Sequence, residues 1–161
     1  MIVVSDTSPI TNLAAIGRLD LLRFLYTELL IPNAVFDEIA VAGAGRPGST
    51  EVAGSDWIHV RPVTDTRLVA ALAVELDGGE AEAIALAIEH SADLVLLDER
   101  RARKAATRLG LLPVGVLGTL LGAKHAGHIA RVGSLLDALR DVAGFWIADD
   151  LYAEVLKLAG E

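Results

Sequence analysis

Short runs of β-branched and aliphatic residues alternate along the chain with longer stretches whose apolar positions recur every three to four residues. That alternation predicts βαβ units and a parallel sheet, because strands buried on both faces read as continuous apolar runs while crossover helices show one apolar side. Ile2 to Ser5 is the first candidate strand. Ser8 reads as a helix N-cap with Pro9 in the first helical position, opening a helix to Ala15. Gly17 to Phe24 follows as a second short helix and Leu29 to Ile31 as a brief strand. Pro32 starts a helix on which Val35, Phe36 and Ile39 share a face, and the stretch from Gly43 to Asp56 is expected to be a surface loop or hinge.

Trp57 to Val60 reads as a strand and Thr66 to Glu75 as a helix; Gly78 and Gly79 then punctuate before an alanine-rich helix from Glu80 to His90. Leu94 to Leu97 is the cleanest buried strand. A basic helix from Glu99 to Leu109, a short strand around Pro113 to Gly115 and a glycine-interrupted helix to Ala126 complete the alternating part. Beyond it, Leu135, Leu136, Leu139 and Val142 recur at helical spacing, as do Leu151, Tyr152, Val155 and Leu158 behind the Asp149-Asp150 start signal. The expected architecture is a three-layer α/β/α sandwich with a mainly parallel sheet of four to five strands, one domain over 1–161. Its core covers about 1–126, and a C-terminal helical extension covers about 129–161. The apolar faces of that extension either complete the core or offer a surface for a homodimer or another partner.

Composition narrows the class. A chain of 161 residues that is 53% hydrophobic can bury a core without staples, which excludes general disorder. With no cysteine there is no disulfide, thiolate metal site or cysteine nucleophile. The longest uncharged run, Leu109 to Ala123, is too short to span a bilayer, and the N-terminus opens without a basic leader, so a cytoplasmic protein with no membrane partner is expected. The formal charge of −8 argues against a surface that coats nucleic acid generally, while leaving room for a local basic patch.

In an open parallel sheet, ligands bind beyond the carboxyl ends of the strands. Asp6 follows the first strand and Asp98 the fourth. Each alone reads as a turn or cap residue, but two at one sheet edge point to chemistry. At about 100° per residue, the face formed by Ala83, Ile84, Ala87 and Ile88 includes Glu80, whereas Glu82 and Glu89 fall on a solvated side. Glu38 lies at the margin of its helix's apolar face and by phase alone reads as a surface acid.

At these residues the chain resembles a known family. DTSPITNLAAIGRLDLL, the acid in PNAVFDEI, GEAEAIALA and the LVLLDERRAR junction are similar, in order and spacing, to the PIN-domain nucleases, among them the VapC-type toxin ribonucleases. The resemblance covers about Met1 to Ala126. It implies the same α/β/α fold and a crevice where Asp6, Glu38, Glu80 and Asp98 act as catalytic and metal-holding acids, with Thr7 and Ser8 in support. It further implies a metal-dependent endoribonuclease, the toxin of a toxin–antitoxin pair, held inactive by a small antitoxin-type protein. The family commonly has Asp at the place of Glu80, where Glu82 competes, and small polar residues at Leu96 and Leu97, so a hydrogen bond supporting Asp98 is expected to be missing.

An acid-only donor set selects hard cations, so Mg²⁺ or Mn²⁺ is the expected cofactor. Five basic residues crowd the segment Arg100 to Arg108, placed to steer RNA phosphates through Arg100, Arg103 and Lys104 or to form an ordinary solvated face. His125 and His128 read as surface histidines. Two rivals stand beside the nuclease: a receiver-like or phosphatase-like Mg²⁺-binding domain, and a catalytically inactive PIN-like module that binds RNA or protein.

Overall fold

A computed structural model describes all 161 residues. Five strands, β1 (Val3–Ser5), β2 (Leu29–Pro32), β3 (Ile58–Arg61), β4 (Leu94–Leu96) and β5 (Pro113–Val114), form one sheet in the order β3-β2-β1-β4-β5. Every pairing is parallel. The chain builds outward from β1 to β3, then returns past β1 to add β4 and β5. Connections therefore leave β1 and β4 in opposite directions, which opens a crevice at their carboxyl ends. Asp6 and Asp98 lie at that opening, and the Asp6 N–H still donates to the Leu96 carbonyl at 3.0 Å.

Period-two alternation sorts the strand side chains between two cores. Val3, Leu29, Ile31 and Leu96 face one layer, and Val4, Val95 and Leu97 the other. The larger core takes in α1 (Thr7–Ala15), α2 (Asp20–Tyr26), α8 (Val116–His125), α9 (Gly133–Asp141) and α10 (Asp149–Leu158). The smaller one is covered by α6 (Gly78–Glu89) and α7 (Arg100–Arg108), with α5 (Thr66–Leu72) outside α6. Leu136, Leu139, Ile147 and Val155 sit in the same cluster as Ile10 and Leu13, so the C-terminal helices pack directly behind the helix that leaves β1.

Several boundaries differ from the sequence reading. Asp6, not Ser8, is the N-cap of α1, so Pro9 falls in the third helical position, where the missing N–H costs nothing. Gly17 takes φ +71° beyond α1, and the second helix starts only at Asp20. The expected loop from Gly43 to Asp56 contains a short helix, α4 (Ser49–Ala53). Gly78 and Gly79 are the first residues of α6 and not its boundary, since Asp77 caps it.

The expected apolar faces also shift. Ala81 and Ala83 to Ala87 are all buried while Ile88 is 36% exposed, because α6 is covered on the sheet side, by α5 and by α3 (Asn33–Phe36). Glu82 and Glu89, expected on a solvated side, are half-exposed and bonded to backbone of other segments. Glu82 accepts from the Ala34 N–H at 3.1 Å, and Glu89 accepts from the N–H groups of Thr64 and Asp65 at 2.8 and 2.6 Å. In the C-terminal part, Val142, Leu151 and Leu158 are exposed, and Ile147 and Ala159 take up core positions instead.

Candidate active site

Asp6 is carried on the turn from β1 into α1 and is only 6% exposed. Its carboxylate makes no capping hydrogen bond. Burial pushes its carboxyl up to about 7; the Thr7 N–H opposes this, and the charges of Asp77, Glu80 and Glu38 add to it.

Glu38 reaches the same place from a distorted helix. α3 continues as a π-helical segment, Asp37–Ala42, a geometry that widens the turn and often marks functional positions. Gly43 ends it, where a Cβ would lie 2.7 Å from the carbonyl oxygens of both Glu38 and Ile39, so no side chain fits. The Thr7 hydroxyl donates to Glu38 Oε2 at 2.8 Å.

Both acids converge on Gly79. A Cβ on that residue would stand 3.1 Å from Asp6 Oδ1 and 3.0 Å from Glu38 Oε2, with Asp77 Oδ1 at 3.6 Å. The two oxygens therefore lie close to one point above the first turn of α6, and the absence of a side chain leaves that point free.

Glu80, buried at 6% exposure, is turned back into its own helix start. It accepts from the Asp77 N–H at 3.2 Å while Asp77 accepts from the Glu80 N–H at 2.8 Å, a reciprocal capping box. Burial raises the Glu80 carboxyl, with Asp77, Glu99 and Glu38 adding to the effect and the Asp77 N–H opposing it. Glu82, the competing acid, is spent on the start of α3 as described above.

Asp98 is held on both oxygens. Ser8 Oγ donates to Oδ2 at 2.8 Å, and the Val116 N–H, in the first turn of α8, donates to Oδ1 at 2.7 Å. Asn12 Nδ2 donates to Ser8 Oγ at 2.8 Å, which leaves the Ser8 proton for Asp98. The support expected to be missing beside Leu96 and Leu97 is supplied from α1 and α8. Burial still raises the Asp98 carboxyl, against the Val116 N–H, the Ser8 hydroxyl and the Arg103 charge. Arg103 is part of this anchor: its Nη1 donates to the Leu97 carbonyl at 3.0 Å, whereas Arg100 and Lys104 are exposed on another side of α7. His125 is bonded to the Leu121 carbonyl through Nδ1 at 2.9 Å.

The chain matches the model of a family described as PIN domain over residues 2–161. It belongs to the PIN-domain family. No curated protein matches it in sequence. The PIN fold is that of nucleases generally, and the all-parallel five-stranded sheet here is consistent with it.

No three His, Asp or Glu side chains of this PIN domain are grouped so as to cage an ion. Two are enough for Mg²⁺, which keeps waters and is commonly bound through one or two carboxylates plus substrate phosphate. Asp6 and Glu38 fit that demand by their all-oxygen donors and by the cradle at Gly79. The sequence reading missed Asp77 and Gly79. The Asp-x-x-Glu pattern of a capping box, visible at Asp77 and Glu80, was the signal that could have found the first.

Proposed function

We propose that this PIN domain is a metal-dependent endoribonuclease that hydrolyses RNA phosphodiester bonds with Mg²⁺ or Mn²⁺ held first by Asp6 and Glu38. The observation that carries the reading is the meeting of these two carboxylates above Gly79 at the sheet's crevice. When bound, the ion would lower the pKa of a water and neutralise charge on the phosphate. Asp6 presents its carboxyl oxygens to the ion from a buried turn, and Thr7 holds Glu38 beside it. Ser8, Asn12 and the Val116 N–H fix Asp98 at the other side, leaving it to position water or ribose hydroxyls. Glu80 shares in the negative field.

Purified protein should cut RNA with added Mg²⁺ or Mn²⁺, stop with EDTA, and lose turnover on Asp6→Asn replacement. Metal-independent cleavage that survives Asp6→Asn would refute the mechanism. A second reading, a non-catalytic RNA-binding PIN module, is favoured by the engagement of Glu80 and Asp98 with their own donors, and absence of turnover with either metal would select it. We further propose the toxin role with a small antitoxin-type partner: induced expression should arrest growth, and Asp6→Asn should relieve the arrest.

A further inference from the structure

Four cations of α7 form a stripe that the acid site does not use. At about 100° per residue, Arg100, Arg101, Lys104 and Arg108 fall within an arc of about 100°, while Arg103 points away to Leu97 and Asp98. All four are exposed and line a cleft of about 720 Å³. Glu75, Glu80 and Glu99 also line it, and no hydrophobic side chain does. Through Glu80 the cleft adjoins the acid crevice.

We infer that this cleft is a track for the phosphates of single-stranded RNA leading to the acid crevice, an inference that rests on the ribonuclease reading. A protein of net charge −8 repels a polyanion everywhere except where its few cations are concentrated, and this face holds four of its 14. From Arg100 to Arg108 the helix rises about 12 Å, a length matched to two or three phosphates of an extended strand. The acids interspersed with them limit the strip of positive charge to the width of one strand. Without an aromatic or apolar wall there is nothing to stack on a base, so the track reads charge and not sequence. Glu75 competes for it: its carboxylate lies 3.7 Å from Arg108, and its carbonyl accepts from Arg101 at 3.4 Å.

The test is anisotropy of a labelled single-stranded oligoribonucleotide titrated in EDTA at several salt concentrations, with cleavage in Mg²⁺ or Mn²⁺ measured separately. Combined Arg101→Gln, Lys104→Gln and Arg108→Gln should weaken binding about tenfold or more and lower the salt slope by about 2, with equal losses on uridine-rich and adenosine-rich strands. Arg101→Lys with Arg108→Lys should retain most of the binding, and Glu75→Gln should tighten it by freeing Arg108. A salt slope unchanged in the triple variant, or polyglutamate competing as well as RNA, overturns the track. If the parent cuts RNA while the triple variant keeps its slope, the track fails and the nuclease reading stands. If the parent neither binds nor cuts RNA, both fail.

Discussion

The two sides of the crevice treat their acids in opposite ways. On the β4 side, Asp98 has a hydroxyl on one oxygen, a backbone N–H on the other and the Arg103 charge nearby. On the β1 side, Asp6 is more deeply buried than the half-exposed Asp98, makes no capping bond and faces three further carboxylates. The protein bonds both oxygens of the first acid with its own donors and leaves the second to be neutralised from outside. A buried carboxylate with one neighbouring N–H and no counter-charge is costly, so the β1 side is where an added cation gains most.

Asparagine at each position should separate the two sides most strongly. Asp6→Asn should abolish metal-dependent cleavage and make the metal-free fold more stable at neutral pH, since it removes an uncompensated charge while remaining a good N-cap. The parent's stability in EDTA should depend on pH accordingly. The folded pKa, about 7, lies above the ordinary 3.8, so this acid's contribution is full below about pH 4 and is lost as the pH rises through 7, a change of a few kcal/mol. Chemical denaturation across that range should show a steeper decline in the parent than in Asp6→Asn, where the raised carboxyls of Glu80 and Asp98 remain. Asp98→Asn should instead cost about 1–2 kcal/mol, because its amide meets a donor from Ser8 or Val116.

Gly79→Ala sharpens the contrast by filling the β1 side alone. The new methyl would crowd the Asp6 and Glu38 oxygens, so Mn²⁺ affinity measured by calorimetry should fall about tenfold or more. Helix propensity favours Ala by roughly 0.5–1 kcal/mol, so thermal stability should hold or rise. Loss of folding would remove Gly79 from the site and make it a structural position.

Ser8→Ala touches only the β4 side. It should cost about 1 kcal/mol of stability and raise the Asp98 carboxyl further, with Mn²⁺ affinity unchanged. A drop in Mn²⁺ affinity as large as that of Gly79→Ala would join the two sides into one metal site.

The smallest effect lies far from both. Glu161 accepts from Lys124 and from the N–H groups of Val132 and Gly133, which holds its carboxyl down to about 2. Its contribution is present above the ordinary 4.5 and is lost as the pH falls through 2. Glu161→Gln should therefore trim stability at neutral pH and flatten the acid limb of the same denaturation series.

The fold was legible because its strands are short apolar runs whose alternate residues enter two separate cores, and because the turns between them carry Gly, Pro and Asp. Asp6 and Asp98 were legible for the same reason, as the polar residues that end such runs. Phase failed on α6. A helix buried on nearly every side has no single face, so the periodicity of Ala83, Ile84 and Ala87 could not tell what Glu82 and Glu89 touch. Both acids cap backbone from distant segments, a pairing no local pattern contains. Reading Ser8 as the N-cap starts the helix two residues late, and that displacement conceals its bond to Asp98, 90 residues away. Glu38 depends on a π-helical widening and on Gly43, neither of which leaves a periodic trace.

The margins of the sheet bear on how this PIN domain meets other chains. One edge is β5, only two residues long and begun by Pro113; the other is β3, four residues closed by Arg61 and followed by Pro62. Short strands, a charge and proline leave little unpaired backbone for strand addition. Association by strand exchange or edge-to-edge stacking is thereby disfavoured, and recognition falls to side chains displayed on the helical layers.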